Sequence, residues 1–324
     1  MARVSLQSIA DACKVSKMTI SCVLRNPNNT RFSKTLRDKI SKVANDFGYV
    51  RNNQAVTFRN GKTGYVGLIM PWNIPELMDT VEIELAKRHI GLSVQFSPMP
   101  CHETELNALK IAVQQNVDGL IWEPNTIKSL DEVPFLQSYK NKIVLLGEGT
   151  LAATENKIAF DYEQGMELAF RHANEQGYRK LIYIDREDSD NHNDMFKELL
   201  KRFSIKYAIA SEAVSLLSIK PSEKSPTLYL CQSDWLGIKL LKFAQEHNLN
   251  IPKEQGIMII GDLLLGGEFR IGEMQRIPLS AIQRNFKNMA LCAVATLFGD
   301  SDPDKKIPME LVIRQSTQRK EMLK

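Results

Sequence analysis

Five side chains near the amino terminus are spaced to meet a polyanion. Lys17, Met18, Ser21, Cys22 and Arg25 fall at i, i+1, i+4, i+5 and i+8, so a helix puts them on one face. Two cations beside short polar and sulfur-bearing groups suit phosphate neutralisation and hydrogen bonding to base edges. The surrounding charge agrees. Residues 1–62 hold 12 lysines and arginines against three aspartates, a net +9, while the remainder holds 30 basic against 35 acidic residues, a net −5. A basic head on an acidic body is the footprint of a polyanion binder.

Other chemistry is sparse. His89, His102, His172, His192 and His247 have no ligand spacing, and Cys13, Cys22, Cys101, Cys231 and Cys292 form no metal pair. Asp185, Glu187, Asp188 and Asp190 imitate a metal loop but read as a solvated acidic turn. No phosphate-binding glycine loop, zinc-protease helix or nucleophile elbow is present, so neither a metal, a cofactor nor a catalytic residue is expected. No apolar run approaches the roughly 20 residues a bilayer span needs. The start, MARVSLQSIADACKV, reads as a folded helix rather than an export signal, and a cytoplasmic setting is expected.

Three helices must position the basic face. Ser5 caps the first, with Leu6, Ile9, Ala10 and Cys13 on one side. Lys14 and Val15 make a turn, and Ser16 caps a second helix running to about Arg25, with Val15, Ile20, Val23 and Leu24 inward. Asn26-Pro27 ends it. Ser33 caps a third helix with Leu36, Ile40, Val43, Ala44 and Phe47 as its apolar stripe and Gly48 as its stop. Two short helices joined by a turn, with a third across them, form a helix-turn-helix.

Beyond residue 63 the pattern alternates. GYVGLIM, GLSVQF, VDGLIW, KIVLLG, KLIYID, TLYLC and GIMIIGD read as buried strands, with helices over about 75–88, 103–115, 162–176 and 234–247. The stretch is too long for one such sheet, so two lobes are expected. Open α/β sheets bind ligands at the carboxyl ends of their strands. That places 70–73, 122–124, 147–149, 185–192, 232–235 and 261–264 around a cleft. Trp72, Trp122 and Trp235 fall in those loops, where aromatic faces stack on a ligand ring or pack between lobes.

The stretches VSLQSIADACKVSKMTISCVLRNP and SKTLRDKISKVANDFGYVRNNQA resemble the head and hinge approach of the lactose/galactose repressor (LacI) family. VDGLIW, QGYRKLIYI, SDWLGIKLL, GIMIIGD, RIPLSAIQ and MELVIRQST continue the resemblance to the end of the chain. The implied fold is a three-helix helix-turn-helix head on a two-lobed α/β body with parallel sheets, like the periplasmic sugar-binding proteins. The expected divisions are a head over 1–50, a hinge over 51–62 and a body over 63–324. Lobe 1 would take about 63–160 and 284–304, and lobe 2 about 161–283 and 305–324.

By the resemblance Lys17, Met18 and Cys22 read bases, and Ser16, Thr19 and Ser21 face or support phosphates. Ser5, Leu6, Arg25, Asn29, Arg31, Tyr49 and Asn52 complete the DNA-facing set. In the hinge, Phe58 matches a leucine wedge and Ala55 the small residue at the dyad. Lys14 stands where the family often has glycine, Arg51 where it has proline, and Cys22 where it often has a base-reading arginine, so the operator sequence is not transferable.

Ligand positions depart further: His192 for an arginine, Leu263 for an aspartate, Ser233 for an asparagine and Gly147 for an aspartate. The expected cleft is therefore less polar and lined by Trp72, Asn73, Trp122, Glu123, Gly147, His192, Ser233, Trp235 and Leu263. Only eight residues follow Ser316, too few for the heptad tail of the family's tetramers, so a homodimer is expected. The expected function is a DNA-binding regulator, a repressor on a palindromic duplex, with a small-molecule effector. The alternatives are an effector-independent regulator with a degenerate pocket and a solute-binding protein.

Overall fold

In the computed structural model, residues 4–49, 62–98, 101–147, 156–185, 198, 201–202, 206–209, 226–265, 268–301 and 305–319 are described. The chain divides into two compact units, 1–63 and 64–324.

The first unit is built from α1 (Leu6–Cys13), α2 (Lys17–Arg25) and α3 (Lys34–Asp46). Each begins on a serine whose hydroxyl accepts a backbone N–H in the first turn: Ser5 from Ser8, Ser16 from Thr19, and Ser33 from Leu36. Lys14 ends α1 at φ +58°, the left-handed conformation that glycine adopts at less cost. Ile9, Ala10, Cys13, Ile20, Val23, Ile40 and Ala44 form the core, with Val15, Leu24, Leu36 and Val43 packed around it. Phe47 departs from the expected stripe: it caps α3 and is 43% exposed.

The second unit carries two six-stranded sheets. The first comprises β1 (Tyr65–Met70), β2 (Gly91–Phe96), β3 (Gly119–Trp122), β4 (Ile143–Leu146), β5 (Lys157–Phe160) and β13 (Lys305–Ile307), in the order β13-β5-β4-β3-β1-β2 and all parallel. The second comprises β6 (Lys180–Asp185), β7 (Lys206–Ile209), β8 (Thr227–Cys231), β9 (Gln255–Gly261), β12 (Ser280–Gln283) and β14 (Glu310–Val312), in the order β14-β12-β9-β8-β6-β7. Its pairs are parallel except β12 with β14. Between β9 and β12 lies a small antiparallel hairpin of β10 (Leu264–Leu265) and β11 (Phe269–Arg270).

The helices are α4 (Pro75–Ala86), α5 (His102–Gln114), α6 (Tyr162–Glu175), α7 (Asp234–Glu246) and α8 (Phe286–Leu297). Strands β1, β3, β4, β8 and β9 are buried almost throughout, as two-sided helix cover requires.

The chain passes between the lobes after Phe160, after Gln283 and after Ile307. The last passage corrects the expected boundary near 304. Lys305–Ile307 pairs with β5 in the first sheet, so the return to lobe 2 comes only after Ile307. A three-residue strand carries too little alternation to be read from its sequence.

Candidate nucleic-acid interface and ligand cleft

On the head, α2 presents the expected face. Ile20 and Val23 are buried, which leaves Lys17 and Met18 exposed and Thr19, Ser21 and Cys22 half-buried beside them. Met18, at 75% exposed, is a large apolar side chain with no packing role in this unit. Ser16 fixes the start of the helix, its hydroxyl 2.9 Å from that of Thr19. The loop to α3 is held by its own side chains. Asn26 accepts the Asn28 amide, Asn29 accepts the Arg31 amide, and Arg37 donates to the Pro27 carbonyl at 2.6 Å. Leu6 and Tyr49 are half-buried against the head core, and Ser5 serves as a cap. The side chain of Arg25, and residues 51–61 of the expected hinge, with Asn52, Ala55 and Phe58, lie outside the described residues.

In the body, a cavity of about 490 Å³ opens between the lobes, within the range of small-ligand sites. It is lined from the carboxyl ends of strands on both sides. Trp72, Asn73 and Ile74 follow β1, Glu123 follows β3, Gly147 follows β4, and Phe160 and Tyr162 flank the end of β5. From the second lobe come Gln232 to Trp235 after β8 and Leu263 after β9; Arg284 stands on the passage after β12, and Phe286 and Met289 lie on α8, which packs against the first lobe. The cleft thus brings together Trp72, Asn73, Glu123, Gly147, Ser233, Trp235 and Leu263 as expected. His192 lies outside the described residues.

Trp122 does not belong to this set. Successive strand residues face opposite sides of a sheet, so Trp122 and Glu123 point apart. Trp122 is fully buried in the outer cluster against α5, and its indole N–H donates to Glu105 Oε1 at 3.0 Å.

Nor is the cleft short of charge. Arg284, absent from the expected set, lays its guanidinium 5.3 Å from the centroid of the Phe286 ring. Burial pushes Glu123 up to about 7, opposed by the positive charge of Arg284. Asp234 is likewise raised by burial, with Arg284 and the Asp262 amide opposing. Two polar atoms are shut away from solvent without a hydrogen-bond partner: Nε of Arg284 and Oε1 of Gln232. Buried polar groups are nearly always paired, so such atoms in a cleft mark where a bound molecule can pair with them. Ser233, by contrast, is committed as the cap of α7.

Asp262 precedes Leu263 and is turned away. At φ +66° it is fully buried, its carboxylate accepting the Gly272 amide at 3.0 Å and Arg314 Nη2 at 2.7 Å. Beside the cleft, Arg270 of β11 pairs with Glu76 of α4 at 3.1 Å and also donates to the Asp262 carbonyl. This ion pair joins the two lobes.

A helix-turn-helix head and a two-lobed α/β body with an inter-lobe cavity define a DNA-binding protein class with a ligand-binding body. Residues 5–52 match the family model of bacterial regulatory proteins, lacI family. It is 24% identical to the NTD biosynthesis operon regulator NtdR of Bacillus subtilis (strain 168), over 97% of this chain and 99% of that protein. It is 21% identical to catabolite control protein A of Priestia megaterium, over 97% and 99%. Among solved structures, the lac repressor dimer bound to operator and the anti-inducer ONPF matches with a TM-score of 0.78 at 16% identity, covering 98% of this chain and 99% of that one. The complex of the transcriptional regulator CelR with cellobiose matches at 0.59 and 17% identity, over 97% and 100%. These likenesses establish the fold. Among the described residues, no helix is long and apolar enough to cross a membrane.

Proposed function

We propose that this chain is a transcription regulator, a repressor that binds a palindromic operator as a homodimer in the cytoplasm and responds to a small molecule held between its lobes. It carries out no reaction in this reading. The observation that carries it is the family match over residues 5–52 on a head whose second helix exposes Lys17 and Met18 over a packed core. Lys17, Met18 and Cys22 read base edges in the major groove, while Ser16, Thr19 and Ser21 meet or orient phosphates. Arg25, Asn29 and Arg31 add contacts beyond that helix. Phe58 wedges into a minor-groove step, with Ala55 at the dyad.

Two copies are required because a two-fold symmetric site mirrors a two-fold protein. The lac repressor neighbour is a dimer on its operator. The body supplies the second input. Its cavity gathers aromatic and ionisable groups from both lobes, so an occupant shifts whichever lobe spacing it fits better.

Selection of duplexes from a random pool tests the reading. A two-fold symmetric site should be enriched, and its affinity should fall with salt at a log–log slope corresponding to about 5–10 phosphate contacts per dimer. Met18→Ala should weaken binding to the selected site by about 1–2 kcal/mol and leave random DNA nearly unchanged. Salt-independent binding, or no enriched symmetric site, overturns the reading.

A further inference from the structure

Among the described residues, two carboxylates, Glu123 and Asp234, and one cation, Arg284, line the cleft. Asp234 is already committed: Oδ1 accepts the Asp262 amide at 2.7 Å, and its carboxylate is packed so close to Gly261 that a Cβ there would stand 2.6 Å from Oδ2. Arg284 acts on both carboxylates, so the two differ in their contacts and not in their access to the cation. No hydrogen bond from a described residue reaches its carboxylate, which lines the cavity beside Gly147. Arg284 offers a buried Nε–H that lacks an acceptor, and Gln232 a buried oxygen that lacks a donor. At the rim stand the rings of Trp72, 45% exposed, and Trp235, 70% exposed.

These groups specify their complement. An anionic ligand would meet two carboxylates and one cation among the described residues. A neutral polyol supplies no counter-charge, so the Glu123 carboxyl keeps its proton beside it. A protonated amine neutralises Glu123, and aromatic faces at the rim favour a cation further. A hydroxyl or ring oxygen then accepts from Arg284, and a hydroxyl donates to Gln232.

We propose that the inter-lobe cleft takes a small hydroxylated amine, of the amino-sugar or aminocyclitol kind, with its ammonium group on Glu123 and an oxygen acceptor on Arg284. This rests on the reading of the chain as a ligand-controlled regulator. A cavity of about 490 Å³ suits a ligand of this size. Protonation agrees with the geometry. Burial holds Glu123 near 7, so an arriving ammonium must displace its proton. Affinity therefore rises between pH 6 and 8 while the amine stays charged; among the described residues, the other titratable groups lining the cavity are Asp234, Tyr162 and Arg284.

Calorimetry on the full chain tests this with matched probes: glucosamine, galactosamine and 2-deoxystreptamine against glucose, galactose, N-acetylglucosamine and gluconate. The expected result is that the tightest binder is an amine, at least tenfold tighter than its neutral or acylated counterpart. Its binding should release a proton at pH 7, read as a heat that changes between buffers of different ionisation enthalpy. Glu123→Gln should erase the tenfold preference, with an unchanged fold confirmed by thermal unfolding. A neutral or anionic compound binding tightest, no binding by any amine, or a preference that survives Glu123→Gln overturns the proposal. The duplex selection is run on the same preparation without probes. Symmetric DNA binding without amine preference sinks the amine proposal alone, and absence of DNA binding sinks the regulator reading whatever the cleft holds.

Discussion

The end of strand β3 separates two regions that hold the same side chain in opposite conditions. On the outer side, beneath Trp122, Glu105 is fully buried and its carboxylate accepts five hydrogen bonds: from the Trp122 indole, the Asn125, Thr126 and Ile127 amides, and the Thr126 hydroxyl. On the inner side, Glu123 lines the cleft with no hydrogen bond from a described residue and with burial raising its proton affinity. A carboxylate wrapped in donors holds a loop in place, here 125–127. One desolvated and left unpaired is a cost to folding that a ligand can remove. The difference separates a structural glutamate from a binding one more sharply than burial does.

Removing the wrapped carboxylate should do the most damage. Glu105→Ala leaves the Trp122 indole and three loop amides without their acceptor, and should lower stability by about 3–5 kcal/mol in urea unfolding. A loss under 1 kcal/mol would erase the contrast between the two sides. Trp122→Phe keeps most of the volume but drops the indole N–H, and about 1–2 kcal/mol should go, with probe binding in the cleft unchanged. If binding fell with it, Trp122 would belong to the cleft after all.

Glu123→Gln should act through pH. The folded protein holds this proton up to about 7 against an ordinary value of 4.5, so the folded state binds the proton more tightly. The group's contribution to stability is complete below about pH 4.5 and is lost as pH rises through 7. The glutamine variant should therefore match the parent in acid and exceed it above pH 7, with a flatter dependence in denaturant titrations. Trp235→Ala should move stability least, within about 0.5 kcal/mol, since the ring is 70% exposed, while weakening any cleft ligand it covers. A large stability loss would make it a packing residue like Trp122.

The head was almost entirely legible because its signals are local. Ser5, Ser16 and Ser33 each cap the helix they precede, and the apolar spacing that comes after them selects the buried face. The cleft was legible only as a set of strand ends. Trp122 and Glu123 were both expected there, although alternation allows one of two successive residues to face it. Arg284 escaped notice because it follows β12, where the chain is already crossing back to lobe 1, yet the same strand-end rule reaches it. Asp262 sits at the end of β9, and only its left-handed backbone and its pairing with Arg314 explain why Leu263 lines the cavity instead. Those partners are 52 positions apart in the chain, beyond any local pattern.

The Glu76–Arg270 pair is the one ion pair between side chains of opposite lobes that borders the cleft on described residues. Neither partner lies on the three chain passages, so the pair can break while the covalent connections stay intact. Any molecule that alters the spacing of the lobes must change the distance across this contact. The Arg270 guanidinium is thus a strain gauge supplied by the protein itself. Its side-chain nitrogen resonance should shift and its hydrogen exchange quicken when the lobes part, reporting occupancy of the cleft without a dye, a reporter gene or a labelled ligand.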